Sequence, residues 1–220
     1  MLDFYNAYKE KILPFILYRF QILIGIILLL MLDSEKNNTF SNPILQDCIS
    51  ILSESEKELR FKTVLQPLNG QRKAHYHSRV TETFSIIKGE LTVWKNNKRQ
   101  TLYKNQSICI APFESHRFFN THPKEEVIFE VKVHPNKDFR KALQIFYGLA
   151  RDGKTFKNSL PKNPIYAAVG LLMMDAYAQS TIPFFVQKKG LQLLFLIAKY
   201  LNIPEKLKTK YCSINENSYK

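Results

Sequence analysis

His75-Tyr76-His77-Ser78-Arg79-Val80-Thr81-Glu82 is the stretch on which the reading of this chain turns. Two histidines at i and i+2 on an extended strand project from one face, with Tyr76 on the other. Glu82 follows after four intervening residues and Gly89 after six more. Far downstream Pro112 precedes His116, and Asn120 stands four residues beyond it. Two imidazoles side by side, a carboxylate from the next strand and a third imidazole from a distant one make a compact cage. Nitrogen and carboxylate ligands in this mix suit Mn, Fe, Co, Ni, Cu or Zn and fit Ca or Mg poorly.

Around this stretch the chain reads as short β-rich runs. They are Leu59–Leu65, Ala74–His77, Thr83–Ile87, Leu91–Trp94, Gln100–Tyr103, Ser107–Ile110, His116–Phe119 and Val127–Val133. Asn, Gly, Lys and Pro fall between them, as in Lys95-Asn96-Asn97-Lys98. Closely spaced strands with hairpin-type turns predict an all-β sandwich or barrel over residues 59–135. Trp94 and Tyr103 fit its walls, and Cys109 reads as a small apolar core residue on a strand.

The two histidine runs carry a family resemblance. His75-x-His77-x4-Glu82-x6-Gly89 resembles the first motif of the cupins, and Asn105-x5-Ala111-Pro112-x3-His116-x3-Asn120 resembles their second, over roughly a third of the chain. The resemblance implies a mainly β fold, the double-stranded β-helix or cupin jelly-roll barrel. It also implies one divalent transition metal on His75, His77, Glu82 and His116, with Asn120 as support for the cage. Three positions depart from the pattern: Asn105 replaces the first glycine, Ala111 the proline, and Phe113 the second glycine. Asn tolerates positive φ, whereas Phe113 brings the local turn into question. The same cage serves dioxygenases, isomerases, decarboxylases and non-catalytic proteins, so the resemblance leaves the reaction open. The expectation is a metal-dependent enzyme of oxygenase or isomerase type, acting on a small molecule in the barrel mouth. The alternative is a non-catalytic binding or sensing module. Glu114 and Arg117 flank His116 and could face the mouth. His122 and His134 read as surface residues.

Composition sets outer bounds. An apolar fraction of 45% in 220 residues supports a packed core, which excludes wholesale disorder. The net charge of +13 is concentrated in residues 137–220, with fourteen basic against five acidic side chains. No zinc finger, RRM signature or helix-turn-helix pattern accompanies it, so an anionic lipid surface is favoured over nucleic acid as a partner. Cys48, Cys109 and Cys212 are too widely spaced for a zinc motif or a disulfide framework.

The flanks differ from the barrel. Residues 1–32 contain the aliphatic run Ile22–Leu32, which extended back to Ile12 is long enough to cross a bilayer. This predicts an N-terminal apolar helix acting as a membrane anchor. A start at Met31 would instead leave a cytoplasmic protein. Residues 33–58 read as a linker with a short helical stretch, Leu45 to Leu52. Residues 136–220 return to helical spacing, with Phe139, Leu143, Phe146, Tyr147 and Ala150 on one face. The segment Lys188–Leu201 is apolar nearly all round and must be buried, on the barrel or in a homodimer, or else docked on a membrane surface.

Overall fold

The computed structural model describes residues 19–25 and 38–212. The chain divides into two units, Met1–Asn38 and Thr39–Lys220. In the first, residues 19–25 are helical and exposed. The rest of the expected anchor, residues 1–18 and 26–32, lies outside the described residues. Among the described residues no helix is long and apolar enough to cross a membrane, so the anchor expectation finds no support there.

The second unit holds two antiparallel sheets. One has the strand order β1 (Thr39–Asn42), β2 (Asp47–Glu54), β3 (Leu59–Leu65), β10 (Val127–His134), β5 (Thr81–Lys88), β8 (Ser107–Ile110). The other runs β11 (Ala176–Ala178), β4 (His75–His77), β9 (His116–Phe119), β6 (Glu90–Lys95), β7 (Lys98–Tyr103). Period-two alternation creates the core. Leu59, Phe61, Thr63 and Leu65 of β3 and Val127, Phe129, Val131 and Val133 of β10 all point inward, where they meet Leu91, Val93 and Phe118 of the facing sheet.

All eight strands expected over residues 59–135 are present. The expected helical stretch Leu45 to Leu52 is not; Asp47–Glu54 is a strand paired with both β1 and β3. The same alternation corrects Cys109, which is exposed because Ile108 and Ile110 take the inward positions. Tyr103 is also exposed.

Four helices follow: α1 (Phe139–Arg151), α2 (Pro164–Met173), α3 (Phe184–Tyr200) and α4 (Ile203–Tyr211). Phe139, Leu143 and Tyr147 of α1 join the barrel core. Asn163 caps α2 by accepting from the Ile165 and Tyr166 amides, with Pro164 at the first helical position. The barrel does not bury the apolar helix after Lys188. Within α3 only Ala198 is buried, and Leu193, Leu196 and Tyr200 stand out at 62%, 63% and 91% exposure.

Candidate metal centre

The two sheets bring the four candidate ligands together. His75 and His77 project from β4, and His116 lies opposite His75 on β9. Glu82 arrives from β5 of the other sheet. One nitrogen or oxygen from each of the four lies within 4.8 Å of the others. Glu82 Oε2 is 2.7 Å from His116 Nε2 and 3.5 Å from His77 Nε2. His77, Glu82 and His116 are buried, while His75 is partly open. Together with Glu82 it forms the wall of a cavity of about 750 Å³.

Whether such a cluster suits a cation depends on which ring nitrogens carry protons. His77 Nδ1 donates to the Met174 carbonyl at 2.9 Å, and His116 Nδ1 to the Glu114 carbonyl at 3.2 Å. A carbonyl can only accept, so each Nδ1 carries the hydrogen and each Nε2 presents a lone pair inward. Both Nε2 atoms are buried without an aligned hydrogen-bond partner, and they face a carboxylate. Lone pairs converging on a carboxylate oxygen repel one another unless positive charge lies between them. A divalent cation supplies that charge, and an outward Nδ1–H bond is the support that metal-bound histidines ordinarily have. The residues therefore fit a metal ion.

Burial and the neighbouring charges act together on Glu82, His77 and His75. Burial works against the Glu82 anion, but the charges and close approach of His77 and His116 outweigh it and hold the carboxyl well below its usual range. Burial lowers the His77 imidazole, yet Glu82 and the Met174 carbonyl reverse this and raise it overall. Burial first, and then the neighbouring imidazoles, push His75 well below its usual value.

Residues 62–132, which include all four candidate ligands, match the family model described as "Cupin domain". The match spans about a third of the chain and identifies that part of it as a cupin domain. Among curated proteins none matches the chain. Solved structures similar to it include KdgF from Halomonas sp., at 11% identity and a TM-score of 0.41, covering 45% of this chain and 87% of that one. The Cupin_2 domain of an XRE family transcriptional regulator from Enterobacter cloacae is 23% identical, covering 40% and 96%, with a TM-score of 0.36. A cupin-superfamily sugar phosphate isomerase from Silicibacter pomeroyi is 15% identical, covering 41% and 61%, with a TM-score of 0.38.

Two of the three departures from the cupin pattern now have physical accounts. Asn105 and Phe113 have positive φ, at 67° and 64°, as Gly89 does at 80°. The turns thus keep the conformation that glycine provides in the family pattern. At Phe113 the cost of a bulky left-handed residue is offset by local bonding and packing. Its amide donates to the His77 carbonyl at 2.7 Å, and its ring sits 6.1 Å from Tyr76 and 5.3 Å from Phe184. The residue that looked least compatible with the turn ties the second motif to the ligand strand of the first.

Other expected participants sort out differently. Asn120 contacts no ligand of this cupin cage; it donates to the Leu65 and Glu125 carbonyls and accepts from the His122 amide. It braces the loops around it. Glu114 is taken up by Lys95 at 2.6 Å and the Ala111 amide. Arg117 does face the cavity, its guanidinium 3.6 Å above the Trp94 ring. His122 accepts from the Lys124 and Glu125 amides, and His134 bonds the Lys57 carbonyl.

Two features of the site escaped the sequence reading. The first is the pair formed by Asp47 of β2 and Tyr147 of α1, joined at 2.6 Å in the cavity wall. The second is the Met174-Asp175 corner that grips β4. Neither lies in the matched domain, and nothing in their local sequence distinguishes them from a solvated acid or a helix end.

Proposed function

We propose that this cupin holds one divalent transition-metal ion on His75, His77, Glu82 and His116 and acts as an enzyme of oxygenase or isomerase type on a small molecule. The observation that carries the reading is the pair of buried, inward-facing Nε2 atoms of His77 and His116, left without donors beside the Glu82 carboxylate. When bound, the ion supplies Lewis acidity and open positions for oxygen atoms of a substrate, water or dioxygen. The chain supplies the rest. The two carbonyls of Met174 and Glu114 hold the imidazoles in the ligating tautomer. Phe84, Phe118 and Phe139 line the cavity beside His75 and keep its interior apolar. Arg117, stacked on Trp94, offers a cation toward the substrate's polar end.

The test is elemental analysis of protein purified without added metal, followed by screening small metabolites for oxygen uptake and for isomerisation. About one transition-metal ion per chain is expected, as a four-ligand cage implies. Full occupancy in a His75→Ala, His77→Ala double variant would overturn the assignment.

A second reading, a non-catalytic binding or sensing module, is favoured by one observation. Besides Glu82, the only carboxylate lining the cavity among the described residues is Asp47, and Tyr147 occupies it. A metal-loaded protein that binds metabolites and converts none of them would support this reading over the enzymatic one.

A further inference from the structure

The turn after β4 is held by a residue far outside the matched domain. Asp175 is 4% exposed and accepts from five donor groups of Ser78 and Arg79, and from the Tyr177 hydroxyl at 3.4 Å. The Ser78 amide and hydroxyl reach it at 2.8 and 2.9 Å, and the Arg79 amide at 2.6 Å. The Arg79 guanidinium lies 3.1 Å away. Its neighbour Met174 supplies the carbonyl that holds His77 Nδ1. Immediately afterwards β11 pairs with β4 along its whole length, Ala176 opposite His77 and Ala178 opposite His75.

Asp175 also occupies an unfavourable conformation. It follows the end of α2 with φ at 54°, the left-handed position just past a helix, which glycine fills best. A helix that only needed to stop would be served better by glycine. The aspartate is explained by its side chain, which caps the amides directly following a candidate ligand. Backbone strain of this kind, tolerated because the surroundings over-determine it, is a mark of functional positioning.

We propose that Asp175 is a positioning residue for the metal ligands, so that the segment following the cupin domain is an integral part of the metal centre. The proposal rests on the metal-binding reading above. β4 is three residues long and carries two of the four candidate ligands. Such a short strand cannot hold two imidazoles in register by its own pairing with β9, where only His75 meets His116. Asp175 fixes its downstream end, Met174 fixes the His77 ring, and β11 covers its free edge.

The experiment uses the full chain and Co(II) as the probe. Affinity is measured by chelator competition, and the ligand geometry by the visible absorption of bound Co(II). Asp175→Asn puts an amide NH2 against amide donors, and is expected to weaken Co(II) binding about 10- to 100-fold, as loss of outer support commonly does. The visible spectrum should change with it. Ser78→Ala removes one of Asp175's partners and should cost a few-fold. Asn163→Ala uncaps the opposite end of α2; it should lower Tm and leave Co(II) affinity and spectrum unchanged. Parental affinity and spectrum in Asp175→Asn would overturn the proposal. So would an Asn163→Ala protein that loses as much affinity as Asp175→Asn, since the effect would then be general loosening. If Asp175→Asn does not fold, Ser78→Ala decides, and parental affinity there overturns it. Failure of the parent to bind Co(II) at all would overturn the metal reading itself, and with it this proposal.

Discussion

Glu82 and Asp47 line the same cavity at 6% and 4% exposure, yet their surroundings shift their carboxyls in opposite directions. Glu82 faces two imidazoles, which overcome the cost of burial and keep it an anion. Asp47 faces a phenol. Burial lifts its carboxyl from 3.8 to about 7, and the hydrogen bond from Tyr147 only partly opposes this. A neutral donor stabilises a buried carboxylate far less than a cation does. The comparison separates a site built to hold positive charge from a tie built to join β2 to α1. Similar burial thus serves two different purposes within one barrel.

The largest effect should appear on the Glu82 side. Glu82→Gln removes the only anionic ligand and should abolish most bound metal, leaving well below the roughly one ion per chain expected of the parent. Elemental analysis reads this directly. A Glu82→Gln protein that purifies with the parent's metal content would erase the distinction between the two carboxylates.

The next effect concerns pH. Because the folded value of Asp47 lies above its unfolded value, the native state keeps a proton that the unfolded chain releases between about pH 4 and pH 7. Its stabilising contribution is therefore complete below about pH 4 and is lost as the pH rises toward 7. The loss amounts to about 4 kcal/mol at most, because holding a proton across one pH unit is worth about 1.4 kcal/mol. Asp47→Asn lacks this proton. Urea unfolding of parent and variant across that range should show their stability difference moving in the variant's favour as pH rises. A constant difference would mean that Asp47 is ionised throughout, as Glu82 is.

Tyr147→Phe sharpens the same contrast at smaller scale. Removing the hydroxyl leaves a buried carboxyl without its donor and should cost about 1–3 kcal/mol near neutral pH. The pH window of the parent should also move upward. Metal content should be unchanged, because the tie and the cage do not share a residue.

The smallest effect tests the strand that delivers Glu82. Gly89 follows β5 with φ at 80°, and a Cβ there would lie 3.0 Å from the Glu126 carbonyl oxygen. Gly89→Val should lower stability by somewhat more than about 1 kcal/mol by thermal melting. A variant that melts like the parent would mean that the turn does not set the register of Glu82.

Much of the barrel was readable in advance because its determinants are local. Alternation from Leu59 to Leu65 and from Val127 to Val133 marks strands with one buried face. The spacing of His75, His77 and Glu82 places ligands on particular faces of two successive strands. Where local and tertiary signals compete, reading along the chain misleads. Leu45, Cys48, Ile49 and Leu52 repeat at helical spacing, but the strand buries Asp47 with Ile49 and leaves Leu52 exposed. An acid at an inward position hid the alternation. Asn120 sits at the expected motif spacing, yet its amide was used by the carbonyls of Leu65 and Glu125.

What the sequence determined by itself is the eight strands of residues 59–135, the four ligand types and their faces, since those follow from local period and spacing. Tertiary structure alone decided the tautomers of the cage and the charge of Asp47. Tautomer depends on which carbonyl a ring meets, and the carbonyl that holds His77 comes from Met174, 97 residues away. The charge of Asp47 depends on burial beneath α1 and on Tyr147, 100 residues away. Contacts of that range leave no periodic trace, because each is a single meeting of two groups that only the folded chain brings together.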